Sequence, residues 1–155
     1  MPDPFNGELK RINDQIKKGL VRIPGAIKVV GLEFIADNFA KQGFEKSTGS
    51  VDTWKKRKVV VLKGKKAKKK GRSGRNVLTD KGFLKRSWAG DSNTSNEAVA
   101  FRSHLPYAAV HNEGLQAGRG SGFIMPERKM IGDSEALVQR VKTEVDRIVT
   151  ESLNF

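Results

Sequence analysis

The chain contains no cysteine, so it can form no disulfide, offers no thiolate nucleophile and cannot build a Cys-based zinc or iron–sulfur site. It has two histidines, His104 and His111, and one tyrosine, and aromatic residues make up only 7% of its 155 residues. Long apolar runs are also missing. The longest, such as Val59 to Leu62, fall far short of the roughly 20 residues that span a bilayer. Met1 to Asn6 lacks the charged flank and apolar run of a secretion signal. These absences predict a soluble intracellular protein that matures in a reducing compartment and makes no membrane contact. The length suits one domain, taken here as residues 1–155, with enough chain to bury a core without staples.

The formal net charge is +13, and its location is more informative than its size. Thr53 to Thr79 contains no acid and twelve bases: Lys55, Lys56, Arg57, Lys58, Lys63, Lys65, Lys66, Lys68, Lys69, Lys70, Arg72 and Arg75. Outside that segment bases and acids nearly balance. The pattern is a neutral domain with one cationic arm or hairpin at about 53–79. Like charges repel one another and cannot pack in a core, so Lys63 to Arg75 is expected to be mobile when unpartnered. Such a segment releases counterions when it meets a polyanion, which gives salt-sensitive, non-specific affinity for duplex DNA. Only Trp54 lies near it, so the stacking platform of a single-strand binder is missing. A solvated loop that keeps the protein soluble, or one that orders only against neighbouring subunits, is the other reading of the same residues.

Apolar periodicity places the remaining elements. Phe5, Leu9, Ile12, Ile16 and Leu20 lie on one helical stripe, predicting a first helix over about Pro4 to Lys18 with Gly19 as its stop. Pro24 is expected to break the chain, because a proline disfavours helical geometry at Ile23. A second helix then runs over about Gly25 to Gln42 on Ile27, Val30, Phe34, Ile35 and Phe39. Gly43 to Asp52 reads as a polar joint, and Val59 to Leu62 as a strand. Leu84 and Trp88, four apart, predict a short helical segment. Ser87 to Gly90 and Ala98 to Ser103 read as antiparallel strands about a polar turn. Pro106 to Glu113 predicts one or two helical turns ended by Gly114, and Leu115 to Gly122 a glycine-rich loop. Phe123 to Ile131 reads as extended. A last helix, capped by Asp133 or Ser134, runs to about Ser152. The sum is α+β: a mainly antiparallel sheet packed by two N-terminal helices and one C-terminal helix.

Motifs for chemistry are scarce. His104 and His111 are separated by Pro106, which argues against a shared helical face, and a metal site needs three or four ligands. Histidines that hold turns by hydrogen bonding are expected instead. No serine sits in a nucleophile elbow. Gly118-Arg119-Gly120-Ser121-Gly122 lacks the Lys-Ser/Thr of a phosphate loop, and Met125-Pro126 does not open a helix. The chain therefore reads as a non-enzyme without a metal or cofactor.

Four stretches stand in a distinctive order: Trp54 with the basic segment, then Val77-Leu78-Thr79-Asp80-Lys81-Gly82-Phe83-Leu84-Lys85-Arg86-Ser87, then Pro106-Tyr107-Ala108-Ala109-Val110-His111-Asn112-Glu113-Gly114, then Met125-Pro126-Glu127-Arg128-Lys129-Met130-Ile131-Gly132. This order resembles the phage virion morphogenesis family, which includes Mu-like G proteins and the S-type tail completion proteins of contractile-tailed phages. The chain departs from the usual pattern where Asn112-Glu113 replaces Gln-Phe and Lys129-Met130 replaces an aromatic. The resemblance implies a small α+β tail completion or neck subunit in the virion, assembled in the host cytoplasm and without catalysis. Its implied partners are copies of itself in a ring, expected to be a hexamer, and the connector, tail tube or terminator proteins. Duplex DNA in the channel is a further implied partner. The residues that carry the motif are Trp54, Leu78, Leu84, Ser87, Tyr107, His111, Gly114, Pro126, Arg128 and Gly132. Tyr107, His111 and Gly114 are expected to shape a turn, and Arg128 to anchor the chain near the last helix. A non-specific DNA-binding accessory protein that uses the same lysine-rich arm is the alternative.

Overall fold

The computed structural model describes residues 4–56, 76–120 and 122–153. The expected strand Val59 to Leu62 and the bases from Arg57 to Arg75 lie outside the described residues.

One long helix, α1 (Pro4–Lys41), replaces the two helices expected at the N-terminus, and Pro24 lies inside it. An interior proline removes one helical hydrogen bond and costs about 3 kcal/mol in an unsupported helix. Here the last helix, α4 (Glu135–Leu153), packs antiparallel along α1 on both sides of the proline. Beyond Pro24 towards the C-terminus, Phe34 meets Ala136 and Arg140 pairs with Asp37. On the other side Arg22 reaches Glu151, and Gly19 lies so close to α4 that a Cβ there would sit 2.1 Å from the Ser152 hydroxyl. Gly19 is thus a contact point rather than a stop.

The stretch expected to be a polar joint is a hairpin. β1 (Gly43–Ser47) pairs antiparallel with β2 (Ser50–Thr53) in the register Gly43 with Thr53, Phe44 with Asp52 and Glu45 with Val51, and a bulge follows Glu45. Gly49 takes the left-handed turn position at φ 80°. Phe44 enters the core edge-on to Phe34 at 5.8 Å, and Glu45 is buried through its ion pairs. Gly43, Phe44 and Glu45 are buried in succession and one of them is charged, so β1 offers no apolar alternation to a hydrophobic reading.

Helix α2 (Phe83–Asp91) absorbs Ser87 to Gly90, which had read as a strand, because Leu84, Ser87 and Trp88 form one buried helical face. The following strands, β3 (Asn93–Thr94) and β4 (Val99–Ala100), make a ribbon of two residues each. Helix α3 (Pro106–Glu113) starts on its proline and ends on Gly114 at φ 67°. The glycine-rich stretch is a second short ribbon, β5 (Gln116–Ala117) with β6 (Phe123–Ile124). Ser134 caps α4: its Oγ accepts the Leu137 N–H at 3.1 Å and donates to the Glu45 carbonyl at 2.6 Å.

The architecture is α+β with every described strand antiparallel, in three separate two-stranded ribbons rather than one sheet. Strands of two residues have too few backbone groups to recruit a third partner, and α1 serves as the scaffold instead. The main core joins Ile35 and Phe39 of α1 to Trp54, Val77, Leu84, Trp88, Ala108 and Met130.

Candidate interaction site at the root of the basic segment

Both borders of the basic segment are tied to the same residue. Gln42, just past the end of α1, adopts φ 53°, a left-handed conformation unusual for a side chain of this size. Its carbonyl accepts the Trp54 N–H at 2.8 Å. Its carboxamide donates to the Phe39 carbonyl at 2.8 Å and to the Val77 carbonyl at 3.2 Å, and its Oε1 accepts the Val77 N–H. The chain therefore departs after Trp54 and returns at Val77 beside one helix end.

The departure point is held a second time. Trp54 is buried edge-on against Phe39 at 5.4 Å, and its indole N–H donates to the Lys129 carbonyl at 2.9 Å. Arg128, also buried, sends Nε and Nη2 to the Lys55 carbonyl at 3.1 and 3.0 Å. The Arg128 N–H in turn donates to the His111 carbonyl at 2.7 Å, and its Nη1 lies 3.5 Å from His111 Nδ1. Lys55 and Lys56 are themselves exposed, at the start of the cationic run.

Asn112 and Asn38 fix the strip that carries Arg128. Asn112 Oδ1 accepts the N–H groups of Met130 and Ile131 at 2.8 and 3.2 Å, while its amide donates to the Ile131 carbonyl at 3.2 Å. Asn38, fully buried, donates to the Met130 carbonyl at 3.0 Å and accepts the Glu45 N–H at 3.0 Å. Buried backbone groups without partners would cost about 1–3 kcal/mol each, so these two side chains hold the strip in place. Gly114 is needed where the chain turns back, since a Cβ there would lie 3.1 Å from the Met125 carbonyl.

The remaining motif residues divide between this root and its surroundings. Leu84 is in the main core and Leu78, at φ 62°, packs against it. Ser87 Oγ donates to the Leu84 carbonyl at 2.9 Å and meets Ser103 Oγ at 2.6 Å. Tyr107 is partly exposed, with its ring edge-on to His111 at 6.4 Å. Pro126 lies in the run between β6 and α4, and Gly132 stands where a Cβ would press on the Lys129 side chain. His104 does not hold a turn but ties the residues before α3 to the end of α2: its N–H and Nδ1 lie 2.7 and 2.6 Å from one oxygen of Asp91, and these bonds hold the Asp91 carboxyl below its ordinary value. Among the described residues no three histidine or carboxylate side chains converge as a metal site requires, and no helix is long and apolar enough to cross a membrane.

Sequence reasoning missed Gln42, Asn38 and Asn112, the three amides that knit the root together. It also missed the ion pairs of Arg140 with half-exposed Asp37 and buried Glu45, each at 2.7 Å. An isolated amide between helix and loop carries no periodic or spacing signal. The constellation has the chemistry of a mount: backbone carbonyls and amides held by buried side chains, with exposed lysines at its lip.

The family model for the phage virion morphogenesis family matches residues 36–150, from the C-terminal end of α1 to the last turns of α4. No curated protein and no solved structure matches the chain significantly.

Proposed function

The chain belongs to the phage virion morphogenesis family, and from that premise we propose that it is a non-enzymatic structural subunit that completes the tail or neck. It acts in a ring of identical copies and docks on other neck and tail proteins. The basic segment reaches from its root to an acidic neighbouring surface or to duplex phosphate in the channel. The observation that carries this reading is the convergence of Gln42, Trp54, His111 and Arg128, from four parts of the chain, on the two borders of the segment. The segment of twelve bases therefore leaves and rejoins the body at one point. Repetition around a ring would then multiply a weak single contact, because each further arm binds at high effective concentration.

Antibody labelling of purified particles tests the location: gold at the neck or tail end is expected, and unlabelled particles from an expressing culture would overturn it. Deleting Lys63 to Arg75 tests the arm, with loss of completed, DNA-retaining particles expected. The acid-free run also favours a second reading, a non-specific DNA-binding accessory protein. That reading requires unlabelled particles together with duplex affinity of the isolated protein that falls steeply with salt.

A further inference from the structure

Two exposed aromatic rings, Phe83 at the start of α2 and Tyr107 at the start of α3, line the same two cavities. Phe83 is 57% exposed and Tyr107 42%. The first cavity, of about 230 Å³, also takes Leu78, Leu84 and Lys81 into its wall. The second, of about 330 Å³, takes Leu105, Arg86 and Gly90. Phe83, Arg86 and Gly90 recur at steps of three and four, so they form one face of α2, beside the buried face of Leu84, Ser87 and Trp88. At Gly90 a Cβ would meet nothing within 4 Å, which leaves the backbone open to close approach.

The charge of this groove is cationic and unspent. Lys81 to Ala89 contains three bases and no acid. Arg86 lies over the Phe83 ring at 5.2 Å and donates one N–H to the Lys81 carbonyl at 2.9 Å. Among the described residues, neither Arg86 nor Lys81 has a carboxylate partner. Asp80 and Asp91 line the cavities as well, and Asp91 already accepts two bonds from His104. Val77, the border at which the segment of twelve bases rejoins the body, directly precedes Leu78. The groove is therefore continuous with the root of that segment and shares its positive field.

Apolar hollows beside unpaired cations discriminate between polyanions. A duplex presents phosphates and keeps its bases stacked, so it has nothing to fill hollows walled by Leu78, Leu84 and Leu105. A protein segment that carries acids around large apolar side chains satisfies both features. We infer that the Phe83–Tyr107 groove receives an acidic segment of a different protein, whose apolar side chains enter the two cavities while its carboxylates meet Arg86 and Lys81. On the reading proposed above, on which this inference rests, that protein is a neck or tail component. The cations then steer the encounter, and the apolar anchors hold it.

Photochemical cross-linking in assembling particles tests the groove. Full-length chains carrying Phe83→p-benzoylphenylalanine or, as a control, Val138→p-benzoylphenylalanine are irradiated, and the cross-linked peptides are sequenced by mass spectrometry. Val138 is 59% exposed and lies on α4. Phe83 is expected to capture a stretch of a different protein with net negative charge and large apolar residues, a stretch not captured from Val138. A synthetic peptide of that stretch should bind the purified protein. A Lys81→Glu, Arg86→Glu variant, checked for native circular dichroism, should bind it about tenfold or more weakly. Cross-links from Phe83 to DNA, to this chain itself or to the stretches that Val138 captures would overturn the groove, as would no cross-link at all. Peptide binding unchanged in the double variant would overturn it too. Any of these results with particles labelled at the neck leaves the virion reading standing. Capture of an acidic stretch in a culture whose particles carry no label keeps the groove and removes the virion reading.

Discussion

Between Ile23 and Phe39, α1 lays its apolar stripe against α4, the β1–β2 hairpin and the core around Trp54, whereas between Phe5 and Leu20 the same stripe meets, among the described residues, only the end of α4. The sequence period is the same in both halves. In the first, every turn meets a partner, and two intervening polar residues, Asn38 and Asp37, are tied to Met130 and Arg140. In the second, the turns carry alternating polar residues and exposed Leu9 and Ile16. Periodicity reports that a helix face is to be covered; what covers it depends on other elements, from the adjoining hairpin to α4 near the other end of the chain.

Trp54→Ala should break the anchored half most severely. It removes a buried indole from Phe39 and Met130, together with its bond to the Lys129 carbonyl. A loss of about 3–5 kcal/mol is expected from the cavity, read as a fall in the denaturant midpoint. A loss under about 1 kcal/mol, the level of an exposed aromatic, would mean that the root of the basic segment is not part of the cooperative core.

Two glycines sharpen the comparison within one helix. Gly31 sits so close to Phe101 that a Cβ would lie 2.1 Å from the ring, while at Gly7 nothing lies within 4 Å. Alanine is the better helix former at both positions by about 1 kcal/mol. Gly31→Ala should nonetheless destabilise by about 1–3 kcal/mol, because overpacking displaces Phe101. Gly7→Ala should be neutral or stabilising. Thermal unfolding of the two variants decides it: the same sign for both would erase the distinction between the covered and projecting halves.

Much of this arrangement was legible before the structure. The α1 and α4 stripes, a cap at Asp133 or Ser134, the Pro106 start and Gly114 stop of α3, and the Leu84–Trp88 turn all follow from local rules. The through-helix at Pro24 was not, because its support comes from α4, which is distant in sequence. The β1–β2 hairpin was hidden because Phe44 and Glu45 are buried side by side and Glu45 is charged, and burial of charge is readable only with its partners in view. The root of the basic segment was half legible. Trp54 and Arg128 stood out as motif residues, but Gln42, Asn38 and Asn112 act through backbone groups that any sequence would present.

Glu45 offers the smallest and most specific test of the covered half. Its carboxylate is held below the ordinary glutamate value of 4.5, first by the hydrogen bond from Lys41 at 2.8 Å, with help from the Gly49 N–H and Arg140 and against the cost of burial. A carboxylate with a lowered folded value contributes stability above its unfolded pKa and loses it as pH falls through the folded one. Glu45→Gln keeps the shape and removes the charge, so a loss of about 1 kcal/mol is expected at pH 7, since Lys41 and Arg140 are partly solvated. The gap between wild type and variant should narrow as pH falls below 4.5 and close once Glu45 is protonated in both folded and unfolded chains. A gap that stays constant down that acid limb would assign the loss to packing, and the β1–α4 junction would then be held by shape rather than by charge.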